Sequence, residues 1–237
     1  ASAVVDNTAR MLAPTQSRQL RVACDGAGDA DVQVLRLPHT TAQLQVGGMS
    51  MVRTDLQALR GGEDHASLAR YLVYYDADLG TFSGIGSYYP DSDPTETNQN
   101  NSSLAIAIQD NTDDLGPRWS VLLHELTHNM GSVLTGAPDS NSVGHCNDGR
   151  DVMCYAEPST PGVTGTYDST VCAELQYDCG ADTYFNPAPL GGSWLATHWN
   201  VASTGNRYLA AATVAADTTP PAQVTGVAAV GHGDFIR

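Results

Sequence analysis

His124 and His128 stand four residues apart in His124-Glu125-Leu126-Thr127-His128, with a glutamate directly after the first. On an α-helix, side chains at i and i+4 share one face, so both imidazoles can bind a single metal ion. Zinc suits that pairing, and Glu125 can then reach a water on the metal and take its proton. The plain alternative is a buried helix with two satisfied histidines and an exposed glutamate. Catalytic zinc takes three protein ligands and keeps one position open, so a third ligand must come from elsewhere. Gly131 suits the left-handed position that ends a helix, and a Gly/Pro/Ser-rich loop follows, running to Gly144-His145-Cys146. His145 is the expected third ligand. Asp139, Asp148 and Asp151 lie in the same loop and stand as carboxylate alternatives, although Asp151 can instead cap the turn after it through backbone amides. His198 has the aromatic and aliphatic neighbours of a packed helix, and His39, His65 and His232 have no ligand-like company.

His124-Glu125-x-x-His128-x-x-Gly131, a later histidine and Met153-Cys154-Tyr155 together resemble the metzincin clan of zinc endopeptidases. In that clan the third histidine follows the glycine by three residues, a position held here by Leu134. Leishmanolysin-like metzincins insert extra sequence at this point, and residues 132–144 form an insertion of that kind. The wider run through Asn129, Ala137-Pro138, Gly144-His145-Cys146 and Asp151-Val152-Met153-Cys154-Tyr155 is similar to secreted bacterial metalloproteases. Their C-terminal part matches Asp178-Cys179, Tyr184-Phe185 and Leu195 through Asn200, so the resemblance covers roughly residues 20–210. Ser83 and Arg118 occupy positions that are cysteines in those proteases, which is consistent with a dropped disulfide.

The resemblance implies an α+β, zincin-like fold: a twisted mixed sheet and an active-site helix above a loop-rich lower subdomain, with the cleft between about 20–131 and 132–213. It makes Met153 the methionine of a tight turn beneath the zinc-binding histidines. Tyr155 becomes a phenol able to hydrogen-bond a developing oxyanion, its other reading being a packing residue. The implied activity is that of a secreted zinc-dependent endopeptidase, with Glu125 and Tyr155 catalytic and His124, His128 and His145 on the metal. Its substrate would be a protein or peptide lying extended along an edge strand from the 84–108 region. Two alternatives use the same residues: a zinc amidase or deacetylase, and a catalytically silent zincin-like binding module. Retention of Glu125 argues against the silent module.

All 11 non-histidine basic residues are arginine, against 26 acidic ones, for a net charge of −15. Without lysine there is no Schiff-base chemistry and no P-loop, and the negative charge disfavours nucleic acid as a partner. No apolar run is long enough to span a membrane. The amino-terminal residues lack the basic start and apolar core of a signal peptide, so the chain is expected to be intracellular or already processed. A monomer is expected. The five cysteines point to an oxidising, extracellular setting. Pairing Cys146 with Cys154 would clamp the residues beside His145 and Met153, and Cys172 with Cys179 would close a second short loop, leaving Cys24 over; sequence alone leaves this connectivity open. Calcium is a second candidate cofactor at Asp76-Ala77-Asp78 or Asp110 through Asp114, but neither stretch has EF-hand spacing and solvated loops are the plainer reading.

These residues need a scaffold. Alternation and β-rich composition predict strands at 32–37 and 71–75, with further short strands at 85–89 and 104–108. Helical spacing predicts 53–60, stopped by Gly61-Gly62, and the ligand-bearing helix over 119–130, burying Leu122, Leu123 and Leu126. The Pro/Asp/Asn-rich segment 90–103 reads as a long loop, as does 157–189, and 192–211 as a final helix weakened by Asn200 and Gly205. Residues 1–213 are assigned to the catalytic domain. Thr218 to Gly226 resembles the start of a fibronectin type III or similar β-sandwich module, so 214–237 reads as a linker.

Overall fold

Alternation along Ala105-Ile106-Ala107-Ile108-Gln109 sends Ile106 and Ile108 to one face of a strand and Ala107 to the other, and the fold is built around that division. The computed structural model describes residues 18–23, 26–27, 31–59, 70–76, 83–102, 105–110, 118–172, 175–211, 231–232 and 235–236. Its elements in chain order are β1 (Arg18–Leu20), α1 (Thr41–Leu59), β2 (Arg70–Tyr74), β3 (Gly84–Gly86), α2 (Gln99–Ser102), β4 (Ala105–Gln109), α3 (Arg118–Asn129), α4 (Trp194–Thr197), β5 (Leu209–Ala211), β6 (Gly231–His232) and β7 (Phe235–Ile236). The class is α+β, with small sheets. The central sheet runs β2-β4-β3, with β2 parallel and β3 antiparallel to β4, so β3 forms an edge.

Ile106 and Ile108 pack with Leu44, Val52 and Leu56 of α1, while Ala107 joins Leu122, Leu123 and Leu126 of α3. A helix therefore covers each face of the sheet. Thr40 and Gln43 start α1 with a reciprocal cap: the Thr40 amide donates to Gln43 Oε1 at 2.9 Å and the Gln43 amide donates to Thr40 Oγ1 at 3.4 Å. The helix is longer than the 53–60 stretch that spacing predicts and breaks at Gly48, whose φ of 59° is not helical.

The expected strand at 32–37 is absent. That segment is extended but pairs in no ladder among the described residues, and Val34 is 98% exposed. Alternation defines two faces; it does not supply a neighbouring edge to bond with. The strands predicted near 71–75, 85–89 and 104–108 appear as β2, β3 and β4, each within a few residues. The expected loop at 90–103 carries the single turn α2 and is organised by buried asparagines. Asn98 donates to the carbonyls of Asp91 and Asp93, Asn100 pairs both ways with the Tyr89 backbone, and Asn101 reaches Gly205.

Residues 132–211 contain almost no regular structure, and the expected helix over 192–211 is reduced to α4. Asn200 accepts from the amides of Asn186 and Ala202, and Asn206 accepts from Tyr208, so side chains replace the helical ladder. The chain then returns as β5 against β1. Two disulfides, Cys146–Cys154 and Cys172–Cys179, tie this half together. Cys24, His65 and most of the expected linker lie outside the described residues.

Helix α3 stops just after His128. Gly131 has a φ of 81° and donates to the His128 carbonyl at 2.8 Å, and Trp199 Nε1 donates to the Met130 carbonyl at 2.6 Å. A Cβ on Gly131 would stand 2.6 Å from Asn100 Nδ2. Gly131→Ala is therefore expected to lower the unfolding free energy by about 1–2 kcal/mol or more. Urea denaturation checks this, and an unchanged midpoint would contradict it.

Candidate metal centre

Three imidazole rings, from His124, His128 and His145, meet beside helix α3. Helix α3 presents His124 and His128 one turn apart, and the loop after Gly131 carries His145 back to them. His128 Nε2 lies 3.1 Å from His124 Nε2 and 3.0 Å from His145 Nε2. His124 Nδ1 faces the Val152 carbonyl at 2.7 Å, and His145 Nδ1 faces Glu157 Oε2 at 2.9 Å. Both partners accept, so both Nδ1 atoms carry the proton and both Nε2 lone pairs point into the cluster. Burial drives His124 down to about 4 and His128 well below its ordinary range, and it lowers His145 against the opposing pull of Glu157. All three rings are thus neutral donors at neutral pH.

This arrangement can hold a metal ion. Nitrogens bonded to one cation at about 2.0–2.1 Å lie roughly 3 Å apart, close to the spacing of His128 Nε2 from each of the other two. Three imidazoles favour a borderline transition cation over calcium or magnesium, which prefer oxygen. Tyr88 stacks on the His128 ring, with centroids 5.7 Å apart, and screens that ligand on one side.

Glu125 projects from the same helix and is buried against the edge strand. The Gly86 amide donates to its carboxylate, yet burial outweighs that bond and lifts Glu125 to about 8 in the metal-free chain. The strand approaches so closely that a Cβ on Gly84 would stand 2.5 Å from Glu125 Oε1, and one on Gly86 would overlap the Glu125 carbonyl oxygen. Glycine at both positions is what admits the glutamate. Tyr155 is 44% exposed, with its hydroxyl 3.1 Å from His145 Nε2. Burial raises that phenol, and Glu125 is near enough to add to the shift.

Met153 is fully buried in the cluster that includes Leu123 and Leu126 of α3. The carboxylate alternatives stand elsewhere. Asp139 is exposed in a left-handed conformation, and Asp148 sits among Asp139, Asp168 and Asp182. Asp151 is buried and accepts from the Met153 amide at 2.7 Å, the Cys179 amide at 2.6 Å and the Tyr184 hydroxyl at 2.8 Å. It stitches one disulfide loop to the other, with both oxygens engaged there. Although Cys146, Asp151 and Cys154 lie together, their sulfurs are bonded to each other.

His198 stacks on Trp194 at 3.6 Å and bonds locally, as a structural residue does, while His39 pairs with Asp55 at 2.6 Å, a partner with no signature in the sequence. Of the calcium stretches, residues 77–78 and 111–114 lie outside the described residues. Reading by spacing missed Glu157, Asn141 and the two glycines of β3. A carboxylate 12 residues beyond a histidine has no periodic signature, although a Gly-x-Gly strand beside a predicted catalytic helix is a usable one.

No family model, curated protein or solved structure matches this chain. The reading of the centre accordingly rests on its geometry.

Two outcomes follow. Elemental mass spectrometry is expected to find about one metal ion per chain in the wild type and in Asp139→Ala, and almost none in His145→Ala. Metal retained by His145→Ala would remove that histidine from the centre. Asp151→Asn keeps the side-chain shape but turns one acceptor into a donor, stranding a buried N–H or hydroxyl. Thermal unfolding should register a loss of about 1–3 kcal/mol.

Proposed function

We propose that this chain is a zinc-dependent endopeptidase of the metzincin kind, acting in an oxidising, extracellular compartment. The observation that carries the proposal is the convergence of three imidazoles, with His128 Nε2 3.1 Å from His124 Nε2 and 3.0 Å from His145 Nε2, beside a buried glutamate on the helix that carries two of them. His124, His128 and His145 would hold the ion. Bound there, zinc supplies a Lewis acid that acidifies water and polarises a carbonyl.

The protein's own groups do the rest. Glu125 takes the proton from the attacking water and delivers it to the leaving amine, and the Gly86 amide keeps its carboxylate aimed. Burial favours the protonated carboxyl in the metal-free chain, and a cation held by the neighbouring histidines would favour the ionised form that accepts that proton. Tyr155 keeps its proton at neutral pH, as a phenol does, so it can donate to the oxyanion that develops on the substrate. Its exposure leaves the side chain free to turn toward that oxygen. Edge strand β3, lying directly over Glu125, offers an extended peptide a backbone to pair with. That edge favours a peptide substrate over a small amide. The buried Met153 under α3 and the glycine stop after His128 support the metzincin assignment. The two disulfides support the compartment.

Glu125→Gln should cut casein hydrolysis by about 10²–10⁴-fold while metal content stays at the wild-type level. Hydrolysis that survives this substitution would refute the proposed role. Chelation should abolish activity and zinc should restore it.

A further inference from the structure

The three histidines are not held alike. The main chain fixes His124, through the Val152 carbonyl at 2.7 Å, and His128 Nδ1 is buried with no hydrogen-bond partner. Only His145 is oriented by a charged side chain: Glu157 Oε2 lies 2.9 Å from its Nδ1, and both side chains are 12% exposed. The same oxygen accepts from Asn141 Nδ2 at 2.6 Å. Asn141 is itself buried, and its Oδ1 accepts from the amides of Val143 at 3.0 Å and His145 at 3.1 Å. The Asn141 amide also donates to the His145 carbonyl at 2.8 Å. Asn141 and Glu157 therefore grip both the ring and the backbone of the third histidine.

We propose that Glu157, braced by Asn141, is a positioning residue that makes His145 a competent metal ligand. The inference rests on the metal-centre reading above. His124 and His128 inherit their orientation from a helix, whereas His145 sits on irregular chain and has no such frame. A carboxylate on Nδ1–H fixes the tautomer that leaves Nε2 free, holds the ring plane and makes Nε2 a stronger donor. It also sets a negative charge one ring away from the cation, which the neutral histidine trio does not provide. Tyr155 and Glu157 leave the same short stretch for opposite nitrogens of His145, so residues 155–157 address both sides of one ring.

The test measures zinc dissociation constants at one pH by competition with a chromophoric chelator, together with the melting temperature of the metal-free protein. Glu157→Gln is expected to weaken zinc binding about 10–100-fold, with Asn141→Ser between it and the wild type. The metal-free melting temperature should move little for Glu157→Gln, which keeps the side-chain shape and one acceptor. Cobalt(II) at saturating concentration gives a second readout independent of affinity: the visible absorption bands of Glu157→Gln should shift from those of the wild type. Wild-type zinc binding with an unchanged constant and unchanged cobalt bands in Glu157→Gln would overturn the positioning role alone. A wild type that binds neither metal would overturn the metal centre and this inference with it.

Discussion

Three uncharged imidazoles converge through their Nε2 atoms, and a single proton can bridge no more than two of them. The approach of His128 Nε2 to 3.1 Å from His124 Nε2 and 3.0 Å from His145 Nε2 is the constraint around which this molecule is arranged. A helical turn provides two of the nitrogens at little cost, because i and i+4 already share a face. The third is expensive in chain entropy, since it must be fixed on backbone without a ladder. The glycine reversal after α3, the cysteine beside His145, the Val152 carbonyl and the clasp of Asn141 with Glu157 all bear on that one ring or its neighbours.

The half of the chain that carries the third nitrogen is held by an apolar cluster and by networks of buried polar groups. Tyr177 lies between α3 and the loops, bonded through Thr127 to the helix backbone at Leu123. Asp178 receives the amides of Thr183, Tyr184 and Phe185, and Asp151 receives donors from both disulfide loops. Burial pushes Asp178 up to about 7 and Asp151 to about 6, and the converging N–H groups oppose that push. Such groups contribute little net stability. They discriminate, because few other backbone paths bring the donors to the same oxygens. With aromatic residues at only 7% of the chain, specificity has moved from side-chain packing into these networks.

How legible this was depends on how local the cause is. The ligand-bearing helix, its glycine stop and the strands β2 to β4 announce themselves by period or by a required backbone angle, and both act over a few residues. His145 was readable because only a loop with the right residue type could complete the set that His124 and His128 begin. The segment 32–37 shows the reverse case: its alternation is as clear as that of β4, but no strand among the described residues takes it up. Asn200 and Asn206 ended a helix through bonds to amides that no pattern marks in advance. Glu157 and Asn141 act on His145 from 12 and 4 residues away, and their partnership exists only after the loop has closed.

The reach of Asp151 from one cysteine loop into the other bears on how the protein acquires its cross-links. Thiols that oxidise at random can join in more than one pattern. With Cys146–Cys154 and Cys172–Cys179 paired, the Cys179 amide and the Tyr184 hydroxyl reach Asp151; a pairing that moved either loop would take donors from a buried carboxylate. The mispaired forms are therefore the less stable ones and remain open to exchange. A buried acid acts in this way as a proofreader of sulfur chemistry, and the fold selects its own covalent isomer.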